Sequence, residues 1–181
     1  MNSSDSACTE CLSRRQFVAI GAAGTTTVLL GRIFAGRVRA EDEDQSVALT
    51  ELPRTRIGQL SSLKTDERQV IQYPDDGPHR SAMLIKLGKK AGGGVGPDGD
   101  VVAFSTVCSH MGGDLSETYD SRFKVAGPCP EHLTTFDLTR HGMIVAGHAT
   151  QSLPQLVLEL DGDDIYATGV IGLLYGYSQN I

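Results

Sequence analysis

The sequence has no Trp, 7 Pro and 4 Cys among 181 residues, and it lacks a basic surplus, an internal repeat and any long apolar run. At net charge −6 and with no basic stripe, the surface repels phosphate backbones and anionic lipid, so nucleic acid is set aside as a partner. A charged fraction of 21% beside 40% hydrophobic residues fits neither a disordered chain nor a long coiled coil. The length admits about one domain, which excludes a multidomain enzyme. What is present is 21 Gly spread among short apolar runs, which reads as a β-rich globular chain.

The net charge averages two unlike pieces. Residues 1–40 carry five Arg against Asp5 and Glu10, a surplus of +3, and the remainder sums to −9. Arg14 and Arg15 stand directly before the uncharged stretch Gln16 to Gly31, and Arg32, Arg37 and Arg39 follow it. That order is the layout of a twin-arginine export signal. The stretch is 16 residues long and diluted by Gly21, Gly24 and Thr25 to Thr27, whereas spanning hydrocarbon takes about 20 mainly apolar residues. No stable membrane span is therefore expected after cleavage. Val38-Arg39-Ala40 supplies a peptidase site, and the chain turns acidic at Glu41-Asp42-Glu43-Asp44. The expected organisation is a signal peptide over 1–40 and one domain over 41–181, exported folded to the periplasm with its cofactor already inserted. Retention of the leader as an uncleaved anchor is the alternative. Cys8 and Cys11 fall in the leader and cannot serve a mature protein, which leaves Cys108 and Cys129.

From Glu41 onward, strand-like runs recur between turn signals: Gln69 to Tyr73, Ser81 to Leu87, Val101 to Val107, Arg122 to Ala126, Met143 to Ala146, Leu156 to Leu160 and Asp164 to Val170. Pro74-Asp75-Asp76-Gly77, Pro97-Asp98-Gly99, Arg140-His141-Gly142 and Asp161-Gly162-Asp163 supply turn chemistry between them. Gln59 to Gln69 is the best helix candidate. The run Gly92-Gly93-Gly94-Val95-Gly96 does not open a helix and lacks a following Lys and Ser or Thr, so it reads as a hairpin connection rather than a phosphate cradle. The fold class is all-β, an antiparallel sandwich or barrel with long loops.

Cys108-Ser109-His110 is followed, 18 residues on, by Cys129-Pro130-Glu131-His132. Two thiolates and two imidazoles in Gly- or Pro-rich loops after strand-like runs match a metal centre. Zinc-finger spacing keeps like ligands together, whereas each loop here offers one Cys and one His. That mixed order suits a two-iron cluster, and tetrahedral zinc in a non-redox module is the alternative. The two loops closely resemble the Rieske [2Fe–2S] family, in which two His replace two Cys on one iron. The resemblance implies a smaller cluster-binding subdomain on the β sandwich or barrel. It also implies that Cys108 and Cys129 hold the buried iron and His110 and His132 the iron nearest solvent.

Departures from the family pattern are informative. Quinol-oxidising Rieske proteins carry a second Cys in each loop, joined as a disulfide; the matching positions here are Gly113 and Glu131. Their Ser and Tyr donors to sulfur correspond to Thr134 and Phe136, and Phe136 has no hydrogen to donate. Donors to sulfur favour the reduced, more negative cluster, so losing one is expected to lower the potential. Among the other His, His79 and His141 read as turn residues, and His148 lies where the family places a third loop over the cluster.

A lone one-electron centre makes an electron-transfer subunit rather than a catalyst of two-electron chemistry. The C-S-H-M-G stretch at Cys108 to Gly112, the G-P-C-P stretch at Gly127 to Pro130 and the twin-arginine leader together resemble the small Rieske subunits of arsenite oxidases. That resemblance implies a large molybdopterin catalytic subunit and a cytochrome c or copper-protein electron acceptor. A Rieske subunit of a quinol:cytochrome c reductase, which keeps an anchor, and a cytoplasmic Rieske ferredoxin are the other redox readings.

Overall fold

Alternation of period two along two adjacent strands organises the molecule. In β3 (Ser81–Lys86) and β4 (Val101–Ser105), Met83, Ile85, Val102 and Phe104 enter one core while Ala82, Leu84, Val101 and Ala103 enter another. Both faces are covered, so these strands read as continuous apolar runs. Each large side chain buried in this way contributes about 1.5–3 kcal/mol. The computed structural model describes residues 52–180. The leader, the expected cleavage site and the acidic start lie outside the described residues.

The main sheet is antiparallel with six strands in the order β1-β10-β9-β4-β3-β2. Here β1 is Thr55–Gln59, β2 Arg68–Gln72, β9 Gln155–Asp161 and β10 Asp164–Ile171. β2 pairs with β3 from Arg68↔Ile85 to Gln72↔Ser81, and β3 with β4 from Ala82↔Ser105 to Lys86↔Val101. The sheet curls until its ends approach each other. A Cβ placed on Gly58 of β1 would stand 2.9 Å from Leu84 Cδ2 and 4.0 Å from Gln69 Oε1 on β2. Leu156, Leu158, Ile165 and Ala167 complete the core inside the curl.

A second sheet, in the order β5-β6-β7-β8, consists of Tyr119–Asp120, Val125–Ala126, Thr135–Asp137 and Met143–Ala146. Its Ala126 and Phe136, with Leu138, pack on Met83, Ile85 and Phe104 of the main sheet. Cys108 and Cys129 belong to this same core. A polar tie fastens the two sheets as well: Lys124 Nζ lies 2.6 and 2.8 Å from the carboxylate oxygens of Asp66, and Tyr119 Oη donates to Asp66 Oδ1 at 2.6 Å. Burial alone would push the Asp66 carboxyl up. The hydrogen bonds from Lys124 and Tyr119, with the ammonium's charge, outweigh it and hold the group below its ordinary range.

The all-β expectation is met, and the seven expected strands all exist, Met143–Ala146 with the expected ends and the other six with shifted ones. Arg122 to Ala126 shrinks to Val125–Ala126, because Asp120 Oδ1 accepts the N–H of Arg122 at 2.8 Å and turns the chain there. The helix expected over Gln59 to Gln69 is a single 3-10 turn, Leu60–Ser62. Gln59 supplies no side-chain cap, and Asp66 at φ 66° cannot continue a right-handed helix. Strands β1, β5 and β7 lie outside the strand-like runs of the sequence. Among the described residues no helix is long and apolar enough to cross a membrane.

Candidate metal centre

Two loops of the same construction carry the predicted ligands. In the first, which leaves β4, the N–H of Cys108 donates to Gly113 O at 2.8 Å and the N–H of Gly112 to Cys108 O at 3.0 Å. In the second, between β6 and β7, the N–H of Cys129 donates to Thr134 O at 2.8 Å and the N–H of Leu133 to Cys129 O at 2.9 Å. Each loop therefore closes on its own cysteine at both ends, and each needs a left-handed residue four positions on. Gly112 takes it at φ 75° and Leu133 at φ 60°.

The structure brings the four residues together. Cys108 and Cys129 are 1% and 2% exposed, and both are free thiols. Burial pushes the Cys108 thiol up and the neighbouring Cys129 thiol adds to this, while the N–H groups of His110 and Met111 pull the other way. At the rim the His110 and His132 rings meet edge to face, centroids 4.8 Å apart at 86°. His110 is half-buried and His132 exposed. The loops touch where the sequence offers no disulfide: a Cβ on Gly113 would stand 2.6 Å from Cys129 Sγ and 3.5 Å from Glu131 Cβ.

A third segment closes over them. Ser109 Oγ donates to Gln151 O at 2.9 Å, and the N–H of His148 donates to Thr134 Oγ1 at 3.2 Å. The His148 ring lies 5.9 Å from that of His110, tilted by 34°. Thr134 is fully buried and, having accepted from His148, keeps its own proton to donate. Phe136 is fully buried in the core that holds both cysteines and offers no donor.

The donor set fits a dinuclear iron–sulfur group. Backbone N–H groups aimed at a sulfur favour a thiolate, the form that ligates metal, and a bound cation removes the thiol proton outright. Among the described residues no three Cys, His, Asp or Glu side chains converge on one metal position. Each iron of a two-iron cluster needs only two protein ligands. Cys108, Cys129, His110 and His132 could supply one thiolate pair inside and one imidazole pair outside.

Sequence reasoning missed other features around these loops. His141, expected as a simple turn residue, sits at φ 54° with its ring over Gly92, where a Cβ would come within 2.4 Å of Nε2. Its Nδ1 lies 2.8 Å from Oε1 of Gln155, itself buried, whose Nε2 donates to Gly92 O at 2.8 Å. This knot ties the glycine run to the start of β9. The repeated Gly92-Gly93 beside His141 in a turn is the only local sign of it.

Residues 42–157 match the Rieske [2Fe-2S] domain family, and the chain belongs to it. It is an iron–sulfur electron-transfer subunit with a Rieske-type [2Fe–2S] cluster. "Iodate reductase subunit IdrB" of Denitromonas iodatirespirans is 52% identical over 170 residues, 94% of this chain and 87% of that protein. The protein of the same name from Pseudomonas sp. (strain SCT) is 50% identical over 169 residues, 93% of this chain and 84% of its own. The "Cytochrome bc1 complex Rieske iron-sulfur subunit" of Corynebacterium diphtheriae is 29% identical over 140 residues, 68% of this chain but 34% of that protein. Among solved structures, the soluble domain of Rieske protein II (soxF) from Sulfolobus acidocaldarius superposes with a TM-score of 0.58 at 25% identity, covering 71% of this chain and 83% of that one.

Proposed function

We propose that the chain is the electron-transfer subunit of a periplasmic iodate reductase, with Cys108 and Cys129 ligating one iron and His110 and His132 the other. Identity of 52% across 94% of the chain to a protein bearing that name carries the reading. The catalytic partner is a large molybdopterin subunit, and a cytochrome c or copper protein exchanges electrons with the exposed end. The leader over 1–40 directs the folded domain over 41–181 to the periplasm. A mature charge of −9 suits a basic cytochrome.

When bound, the [2Fe–2S] group supplies one-electron oxidation and reduction, in its class at roughly −150 to +300 mV. The residues of this chain set the conditions. Cys108 and Cys129 sit in the apolar core and keep water from the inner end. The N–H groups of His110 and Met111 point at the Cys108 sulfur and stabilise its negative charge. His132 and His110 bring ring edges to the surface, the shortest covalent route outward for an electron. Ser109 ties the first loop to the third segment, and the N–H of His148 ties that segment to Thr134 of the second loop, with the His148 ring beside that of His110.

The arsenite oxidase reading remains as the second one, favoured by the C-S-H-M-G and G-P-C-P stretches. The two readings differ in the direction of electron flow, and that difference is testable. With the native catalytic subunit present, iodate is expected to reoxidise the chemically reduced cluster, followed by loss of its reduced EPR signal, and arsenite is expected to leave the oxidised cluster unchanged. Reduction by arsenite with no response to iodate would reverse the assignment.

A further inference from the structure

The first loop is braced by a part of the chain that no ligand motif includes. After β10 the backbone folds into a short strap, Gly172 to Asn180, closed on itself: Asn180 Nδ2 donates to Gly172 O at 2.7 Å and Asn180 Oδ1 accepts the N–H of Leu174 at 2.9 Å. Leu174 is 2% exposed and anchors it. Two tyrosines project from the strap to different places. Tyr177 Oη donates to Pro78 O at 2.7 Å, and the Arg80 guanidinium lies 4.4 Å from the Tyr177 ring centroid. Arg80 is itself 5% exposed and paired with Asp75 at 3.0 Å, so this end of the strap grips the main sheet's β2–β3 connection at a buried side chain. Tyr175 reaches the first ligand loop. Its ring lies against Gly112, where a Cβ would meet Cε1 at 2.5 Å, Cδ1 at 2.9 Å and Cζ at 3.1 Å, and His79 packs edge-on to the same ring at 5.5 Å and 89°.

We propose that the strap is a non-covalent clamp on the first cluster loop, and that Tyr175 is its positioning residue. The loop has need of one. It has no disulfide to the second loop, and Gly112 and Asp114 border an open cleft of 430 Å³ that also reaches Val70, His79 and Ser81. Tyr175 presses on the residue whose N–H closes the ring at Cys108 O, so a ring held in place keeps Cys108 and His110 at a fixed separation. Contact through the ring face rather than the hydroxyl means that phenylalanine can replace it. The proposal rests on the assignment of Cys108 and His110 as ligands.

The test compares the cluster-loaded full chain with Tyr175→Ala and Tyr175→Phe. Bleaching of the visible bands by a chelator is expected to run about tenfold faster in Tyr175→Ala, the factor corresponding to about 1.4 kcal/mol, with broadened EPR lines in the reduced protein. Tyr175→Phe is expected to match the parent in both. Where Tyr175→Ala gives no folded protein, Asn180→Ala, which opens the strap from outside the site, carries the same expectations. Bleaching and EPR at parental values in the alanine variant, or a phenylalanine variant as impaired as alanine, overturn the clamp. A parent chain with no Rieske EPR signal overturns the ligand assignment, and the clamp with it.

Discussion

The two ligand loops share one hydrogen-bonding plan yet solve its hardest position differently. Both close on their cysteine through residues four and five positions on, and both require a left-handed backbone at the fourth. The first loop puts Gly112 there, and the second puts Leu133, a β-unbranched but bulky side chain left 66% exposed. Conformation alone does not explain the glycine, since leucine manages the same φ. The Tyr175 ring does: it occupies the space a side chain on Gly112 would need, while the Leu133 side chain stands open to solvent. The first loop is thus held from outside by packing. The second is held from behind, by its own small sheet and by Lys124 on Asp66.

Substitutions can break that contrast, and the largest effect is expected where the loops meet. Gly113→Val puts a branched side chain within 2.6 Å of Cys129 Sγ at its first carbon, in a core with no space to give. The purified variant is expected to lose most of its cluster, measured as iron and EPR signal per chain; full occupancy would show that the loops can part without cost. Next come the matched positions. Gly112→Ala is expected to destabilise by about 2 kcal/mol, from its left-handed backbone and the Tyr175 contact, and Leu133→Gly to stabilise by about 1 kcal/mol by relieving the backbone. Denaturant midpoints of the loaded proteins check both, and equal shifts of the same sign would end the distinction between packed and open loops.

A smaller effect is electronic. Phe136→Tyr restores a donor beside the buried thiols, and the cluster midpoint in protein-film voltammetry is expected to rise; an unchanged or lower value counts against a sulfur-directed hydroxyl. The smallest concerns the tie behind the second loop. Asp66 titrates below its ordinary value in the folded chain, so its stabilisation is present above the unfolded pKa of about 3.9 and is lost as pH falls through the folded one. Asp66→Asn is expected to cost about 1 kcal/mol at neutral pH and to flatten that acid-side loss, as read from unfolding midpoints between pH 3 and 7. The same acid profile in the variant and the parent would assign the sensitivity elsewhere.

The candidate ligands are legible in the sequence because each loop packs its chemistry into three or four consecutive residues. The central strands were legible for a related reason, since Ser81 to Lys86 and Val101 to Ser105 are apolar throughout and buried on both faces. Strand β5 has two residues and no pattern of its own; it exists because Tyr119 pairs with Ala126 and Asp120 with Val125. The Asp66 tie joins residues 53 and 58 positions apart, a relation that no local window displays. His141 is the exposed turn residue its sequence context suggests, and its bond to Gln155 escapes local reading because the partner stands 14 positions on. On the function proposed above, the oxyanion has no local signature in this chain, because its chemistry would belong to the catalytic partner; the C-S-H-M-G and G-P-C-P stretches suggest arsenite, and identity along nearly the whole chain suggests iodate.

The contact between Gly113 and Glu131 has a further meaning for assembly. Elsewhere in the family a covalent sulfur bridge joins these positions, and such a bridge can form only after a chain leaves the reducing cytoplasm. Here the loops meet through a glycine and the carbon stem of a glutamate, which need no oxidant. The ligand cage can reach its final shape, and take up iron, at the site of synthesis. On the export route proposed above, nothing in the cage is left to be finished on the far side of the membrane.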